Sequence, residues 1–513
     1  MKSSIAIKTN AQAAPWRVAF ERSPGLVLAV IAIVPILAAR YFIGESLRLD
    51  EAQSLWQVSR DIRGVLVIVA GDVHVPLYHL LLHGWLSLFG NSLTAARILS
   101  LLFFLLSIPF VYLLGKRAYS STTGLLAAAF FAFSPFMNWY ASEVRMYTLF
   151  AFLTIVNQYF FLRILEEARP RLGTWAGYAL SAVLGVFSHY FFFLNLLAQG
   201  AFFLLRRKAF PPRTALRFSL VASFIAIAFA PWAWYVRLRG VAGFQEPILL
   251  PPSTVDLFNA FSQFLFGFQT DVINTVFLSL WPLAVVLGIV ALRHYRRFLP
   301  QTEFLIAAVL IPFGVAFIGS RFITPIFVSR YLVFTLPAFY LLLLRLLSLY
   351  PRRFQIFAQV SLAALMLLAI GIQVTNARIP VKEQYASAVS YVTAHATAQD
   401  IVLVSAPFTI YPVQYYYRGP APVRTLPAWN QYEFGPIPAF SPDALSAEVT
   451  GLTQDYQNVY LLLSYDQGYE EVIKRYFDSN YERLSAQNFS GSLNLYVYRL
   501  RYNTNASVIS TPL

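Results

Sequence analysis

Eleven apolar runs of roughly membrane-spanning length occupy the first three-quarters of the chain, and no water-soluble fold buries so many. They fall at about 26–43, 95–114, 122–139, 147–165 and 175–189. Six more follow at about 190–205, 216–236, 272–292, 304–319, 331–349 and 354–374. A hydrocarbon core of ~30 Å needs about 20 helical residues at 1.5 Å each. Several of the runs are short or abut, but the pattern predicts a polytopic α-helical membrane protein with about eleven spanning helices. The 12% charged content agrees, against roughly 25% in soluble domains. The stretch 76–89, with His79, His83 and Trp85, falls below the ~17-residue minimum for a span and reads as an interfacial or re-entrant helix.

The net charge of +15 invites a nucleic-acid reading, which the position of the charges rejects. With the N-terminus inside, the basic clusters all fall in inner loops. They are Lys116-Arg117, Arg163/Arg169/Arg171, Arg206-Arg207-Lys208 with Arg213 and Arg217, Arg293/Arg296/Arg297, and Arg352-Arg353. This is the positive-inside pattern; counting 76–89 as a span would reverse it. Arg237 and Arg239 are the exception. Lys2, Lys8, Arg17 and Arg22 followed by an apolar run resemble a signal peptide, but the run is long and lacks a small-residue cleavage site, so it reads as a retained anchor. Zero cysteines exclude disulfides, thiolate metal sites and thiol catalysis, as befits an extracytoplasmic bacterial domain. The expected location is the bacterial inner membrane.

The same topology places Asp50-Glu51, Asp72, His74, Glu143, Arg145, His189-Tyr190 and Arg330-Tyr331 at the outer face, with everything after residue 378. The expected division is a membrane domain at 1–377 and a C-terminal soluble α/β domain at 378–513. In the latter, 384–395, 444–456 and 470–477 read as helices and 401–404, 459–464 and 493–500 as strands. It has no Gly-rich loop or clustered histidines and reads as a lid or acceptor-docking module.

Asp50-Glu51 follow the first span directly. Adjacent carboxylates there can set helix orientation, hold a metal or accept a proton. Asp72 and His74 add further metal-type ligands, though their spacing matches no defined motif; a divalent ion, held in part by Asp50, is the one candidate cofactor. Glu143 and Arg145 read either as a local ion pair or as a contact with acceptor and phosphate, Arg145 being suited to bidentate phosphate binding. Arg330 reads as an interfacial snorkeller or a phosphate clamp, and His189 as a satisfied interfacial histidine or an acceptor contact. Nucleotide loops, the G-x-S-x-G elbow and H-E-x-x-H are absent. An enzyme at the outer face would need a pre-activated substrate such as a polyprenyl-phosphate sugar.

The order of motifs resembles the GT-C membrane glycosyltransferases, specifically bacterial relatives of dolichyl-phosphate-mannose protein mannosyltransferases and of aminoarabinose transferase. The resemblance rests on Asp50-Glu51-Ala52, then Val75-Pro76-Leu77-Tyr78, Leu88-Phe89-Gly90 and Ala96-Arg97-Ile98-Leu99-Ser100. It continues through Leu114-Gly115-Lys116-Arg117 and Val144-Arg145-Met146-Tyr147 to Arg330-Tyr331-Leu332 with Pro337, covering about 25–350. It implies that Asp50 acts as general base or helps place a metal, supported by Glu51. Arg330, Tyr331 and, more weakly, Arg145 would contact the polyprenyl phosphate, with inversion at the anomeric carbon. Val75 stands where relatives often have proline, and Glu143-Val144-Arg145 where some carry an aspartate a few residues on, leaving a second acid open. The expected partners are a polyprenyl-phosphate sugar, a lipid, glycan or protein acceptor, and the membrane. A transporter or flippase of lipid-linked substrates is the alternative; it predicts internal repeats or mid-span charges, and neither is evident. A non-catalytic scaffold, in which Asp50 is replaceable, is the third reading.

Overall fold

The computed structural model describes residues 23–167, 169–239, 250–279, 281–293, 299–375, 383–433 and 437–500. The N-terminal basic residues Lys2, Lys8, Arg17 and Arg22, the loop residues Arg296 and Arg297, the side chain of Arg239 and the expected division at 377/378 lie outside the described residues.

The helical part begins with α1 (Pro24–Phe42), α2 (Leu49–Val58), α3 (Ile62–Ala70) and α4 (Leu77–Phe89). Next come α5 (Leu93–Ala118), α6 (Ser121–Ala132), α7 (Pro135–Ala141), α8 (Tyr147–Glu166), α9 (Leu172–Val186) and α10 (Phe192–Leu205). It ends with α11 (Pro212–Arg239), α12 (Thr254–Phe266), α13 (Asp271–Ser279), α14 (Trp281–Arg293), α15 (Pro300–Phe322), α16 (Leu336–Leu347) and α17 (Arg352–Thr375). Among the described residues, seven helical segments are long and apolar enough to cross a membrane, and α4, α6, α9 and α10 are shorter apolar helices. The protein is a multi-pass membrane protein. Where the spans differ from expectation, local chemistry explains it. The run 122–139 breaks at Ser134, which caps α7, and Pro135 starts the new helix at its first position. The run 331–349 opens as a 3₁₀ turn, Ser329–Thr335, before α16. The run 272–292 is helical as α13 and α14 on either side of residue 280, which lies outside the described residues.

Close backbone approach holds the bundle where apolar matching with lipid supplies little drive. At the crossing of α5 and α6, a Cβ on Gly115 would stand 2.7 Å from the Gly124 Cα, and one on Gly124 would strike the Tyr112 carbonyl. Polar glue joins α8, α9 and α10. Asn157 donates to the Tyr178 carbonyl and the Ser181 hydroxyl, and accepts from Asn195 and Gln199.

The two ends of the bundle differ. At one end Arg117 pairs with Glu166 at 2.5 Å, Arg206 grips Glu303, and Tyr119 meets Thr302. The other end carries Arg97, Arg145 and the first-loop helices. Helix α4 has both its termini there: its N-terminus follows His74, and α5 starts at Leu93, four residues before Arg97. At 13 residues, or ~20 Å, it lies along that end rather than crossing, as its length suggested.

The C-terminal part adds α18 (Tyr385–His395), α19 (Ile410–Tyr416), α20 (Leu445–Thr453) and α21 (Glu470–Asn480). Its strands are β1 (Asp400–Ser405), β2 (Val423–Thr425), β3 (Asn458–Leu463), β4 (Glu482–Ser490) and β5 (Leu493–Arg499). The sheet order is β2-β1-β3-β5-β4, with β1 parallel to β2 and β3, and β5 antiparallel to β3 and β4. Alternation splits the faces. Val402, Val404, Tyr460 and Leu462 pack into the core shared with the bundle, while Ile401, Leu403, Val459 and Leu461 pack with Ile473 and Phe477 of α21. Two strands and α19 exceed the sequence expectation. β4 is a polar edge strand without apolar alternation, β2 has three residues, and α19 contains Pro412.

Candidate active site

The site forms where the loop after α1 turns into α2. Arg97, fully buried four residues inside α5, organises it. Its guanidinium caps the end of α1 by donating to the carbonyls of Phe42 and Ile43, and also reaches those of Glu45 and Ser46. It grips Glu51 bidentately, Nε to Oε1 at 2.9 Å and Nη2 to Oε2 at 2.7 Å. The Glu51 carboxylate also accepts the backbone N–H of Arg48, closing the cap of α2, and that of Val144. Glu51 is completely buried. Expected to support Asp50 in the chemistry, it has its oxygens taken up by Arg97 and two backbone N–H groups, which hold the fold around Asp50.

Asp50, one residue earlier in the first turn of α2, faces elsewhere. Its side chain is 32% exposed and lies 3.6 Å from the guanidinium of Arg330. No hydrogen bond from the described residues occupies its carboxylate. Burial works to raise its pKa, but the fields of Arg145, Arg330 and Arg48 together prevail and hold it well below the usual carboxylate range.

Arg145 sits behind α2, 4% exposed. It donates to the Asp50 carbonyl at 3.4 Å, the Ser54 hydroxyl at 3.3 Å and Nε2 of His74 at 3.1 Å. Its own carbonyl accepts from Ser100. Accepting from a cation makes His74 neutral, with its proton on Nδ1. Burial first, and Arg145 second, push its pKa well below the ordinary histidine value. The local Glu143/Arg145 pair suggested by sequence does not form. Glu143 pairs with Arg48 at 2.8 Å, leaving Arg145 free for the Asp50 side.

Arg330 stands on the 3₁₀ turn before α16, with a buried Nε that has no partner among the described residues. The Nε of Arg145 is likewise unpartnered. Tyr331 packs against His189 and Phe191, at 5.3 and 5.4 Å between ring centroids, with the Arg330 guanidinium 5.5 Å from its ring. His189 stacks on Phe150 at 4.7 Å and accepts the Phe191 N–H on Nδ1; burial drives its pKa down to about 3. Asp72 is held by the amides of Gln57 at 2.7 Å and Gln53 at 3.1 Å. Its distance of 3.8 Å from His74 is too long for a hydrogen bond.

As donors for a metal, these groups are committed elsewhere: Asp72 to two amides, His74 to Arg145, Glu143 to Arg48. Among the described residues no three His, Asp or Glu side chains gather as a metal cage. Asp50, the residue expected to hold an ion, keeps a carboxylate without a hydrogen bond among the described residues.

The C-terminal part reaches the same rim. Tyr416 accepts the Leu47 N–H, Ser46 accepts that of Ala386, and Tyr465 donates to Glu383 at 2.6 Å within the field of Arg48. Sequence reasoning brought Asp50, His74, Arg145, His189 and Arg330 to one surface, and they do converge. It gave Arg97 no role, although a lone arginine inside an apolar run is itself a signal.

A family model described as dolichyl-phosphate-mannose-protein mannosyltransferase matches residues 73–235. A search of curated proteins found no match. Among solved structures, ArnT from Cupriavidus metallidurans in the apo state is similar at TM-score 0.59 and 14% identity, over 94% of this chain and 98% of that one. The same protein bound to undecaprenyl phosphate gives TM-score 0.55 at 14% identity, over 98% and 100%. Arabinofuranosyltransferase AftD from Mycobacteria gives 0.50 at 14%, over 93% of this chain and 40% of that one. At these identities the likeness establishes the fold, which this chain shares with these proteins.

Proposed function

We propose that the protein transfers a sugar from a polyprenyl-phosphate donor to an acceptor at the extracytoplasmic face of the bacterial inner membrane. One observation carries the reading: Asp50, the site carboxylate without a hydrogen bond among the described residues, stands between two arginines, Arg145 and Arg330, whose Nε groups lack partners among those residues. Arg48 is neutralised by Glu143, and Arg145 and Arg330 set two guanidiniums against the one Asp50 carboxylate, an arrangement that suits a phosphate. The similar ArnT structure bound to undecaprenyl phosphate and the match at 73–235 support a lipid-phosphate donor.

In the reaction an acceptor oxygen or nitrogen bonds to the anomeric carbon while the bond from that carbon to the phosphate oxygen breaks. The electron pair leaves with the phosphate, where Arg145 and Arg330 stabilise the growing charge. The acceptor proton passes to Asp50. A carboxylate held at low pKa is a weak base, but the incoming phosphate neutralises the cations that depress it, so donor binding makes Asp50 more basic. Hexosyl and pentosyl donors, aminosugars included, and lipid, glycan or protein acceptors all fit this chemistry.

The test is transfer in proteoliposomes from a panel of radiolabelled polyprenyl-phosphate sugars, comparing wild type with Asp50→Asn. Label moved by wild type alone supports the reading; equal transfer by both removes Asp50 from the mechanism. With arginines as the phosphate counter-charge, transfer is expected to survive EDTA. Loss on chelation and recovery with Mg²⁺ would instead put a divalent ion on the donor phosphate, with Asp50 as its protein ligand.

A further inference from the structure

A cavity of about 810 Å³ opens on the face of α2 turned away from Asp50. Helical phase separates the two faces. Gln53, Ser54 and Gln57 meet Asp72 and Arg145 on the site side, whereas Ala52, Leu55, Trp56 and Ser59 line the cavity. Across from Trp56 stand Tyr411 and Gln414 of α19 and Tyr432, and His83 and Asn91 close the side formed by α4 and its following turn. The Trp56 ring lies 4.9 Å from that of Tyr411 and 5.8 Å from that of Tyr432.

The chemistry of this lining is specific. Among the described residues the cavity lining holds no carboxylate, lysine or arginine. Arg60 stands at its rim, with its guanidinium over Trp56 at 3.8 Å and 5.7 Å from the Tyr432 ring, and donates to the Trp56 carbonyl. An ammonium here would be desolvated without a counter-charge. Aromatic faces alternating with amide and imidazole groups match a neutral polyhydroxylated ligand, whose C–H faces stack on rings while its hydroxyls bond to Gln414, Asn91 and His83. The volume falls within the ~300–1,000 Å³ of small-molecule sites. Helix α4 lies along this end of the bundle, and beside the cavity it exposes Leu88 (80%) and Phe89 (60%), apolar residues that suit a lipid surface. An occupant can therefore keep a lipid tail in the bilayer and its headgroup under the C-terminal part.

We propose that this cavity binds a neutral saccharide headgroup of a membrane-anchored acceptor, on the opposite side of α2 from the transfer site. The proposal rests on the transfer reading for the word acceptor, though not for binding itself. Ala52 is two residues from Asp50, and a helix with its side chains is ~10–12 Å across, a span that a short glycan bridges.

The experiment uses the full chain in nanodiscs, with saturation-transfer NMR to maltotriose and chitotriose as probes. Wild type and Asp50→Asn are expected to transfer saturation to at least one probe, and the double variant Gln414→Ala/Tyr432→Ala to lose it. With membrane glycolipid extract as acceptor, the double variant should raise acceptor KM about tenfold, ~1.4 kcal/mol, leaving kcat and donor KM unchanged. Absence of signal from both probes, signal equal in the double variant, or a fall in kcat at constant acceptor KM overturns the proposal. Saccharide signal dependent on Gln414 and Tyr432 in a protein that transfers nothing would leave the cavity assigned and sink the transfer reading.

Discussion

Asp50 and Glu51 are chemically near-equivalent neighbours, yet 100° of helical phase gives them opposite tasks. Glu51 turns into the protein, where Arg97 and two backbone N–H groups saturate it; Asp50 turns outward between Arg145 and Arg330. Breaking a buried ion pair on one side costs about 3–5 kcal/mol. Arg97→Met should therefore lower thermal stability by an amount of that order. Glu51→Gln, which keeps an acceptor, should be destabilised less and retain transfer in the folded fraction, while Asp50→Asn keeps stability and loses transfer. Paired melting and turnover measurements separate the two roles; loss of turnover at full stability in Glu51→Gln would return it to the chemistry. The pH behaviour follows from the same geometry. The arginines depress Asp50, so it stays ionised until pH falls through its lowered pKa, and the acid limb of kcat/KM lies below the ordinary carboxylate value of ~3.9. Arg145→Gln removes a cation that lowers both Asp50 and His74. Both pKa values must then rise, moving the acid limb upward, while kcat/KM falls by about 10²–10³ as a phosphate-stabilising donor is lost. An unmoved limb would show that Arg145 does not act on Asp50. Sequence marked these residues because charge at a membrane surface is conspicuous. It could not separate 50 from 51 without the partners each meets, and it joined Glu143 to Arg145 because both are near in sequence, whereas the turn delivers Glu143 to Arg48.

At the scale of elements, long apolar runs were legible because lipid tolerates little else, and their helices stand where expected. The breaks were not legible from hydropathy: Ser134-Pro135 restarts a helix inside an apolar run, and Ser329–Thr335 tightens to a 3₁₀ turn that presents Arg330. β4 escaped notice because an edge strand needs no apolar face. Interhelical polar contacts are equally invisible before packing is known. Asn157 serves four groups on α9 and α10. Individual interhelical hydrogen bonds in membranes average about 0.6 kcal/mol and reach ~1.7. Asn157→Leu breaks several at once and orphans the Asn195 and Gln199 amides, so a loss of about 1–3 kcal/mol is expected in unfolding from detergent micelles, with donor KM unchanged in the folded protein. A change within 0.3 kcal/mol would mean that the network relaxes onto other partners.

At the scale of the molecule, two separate arguments support the proposed orientation. The loop charges place one set of bundle ends inside, and the folded chain collects Arg117, Arg206, Glu166 and Glu303 at one end and the Asp50 site with the C-terminal sheet at the other. The proposed use of a lipid-phosphate sugar without nucleotide-binding loops calls for the second end to face outward, where the donor is already activated. The cysteine-free chain makes this directly measurable, since any thiol introduced is the only one to react. Arg418 follows α19 and is exposed, as is Lys208 in the turn between α10 and α11. In intact spheroplasts a membrane-impermeant maleimide should label Arg418→Cys fully and Lys208→Cys only after permeabilisation. The reverse pattern would turn Asp50 toward the cytoplasm, and with it the transfer reaction; labelling of both in sealed cells would mean that the charged ends do not set the orientation, and the positive-inside argument would fail with them.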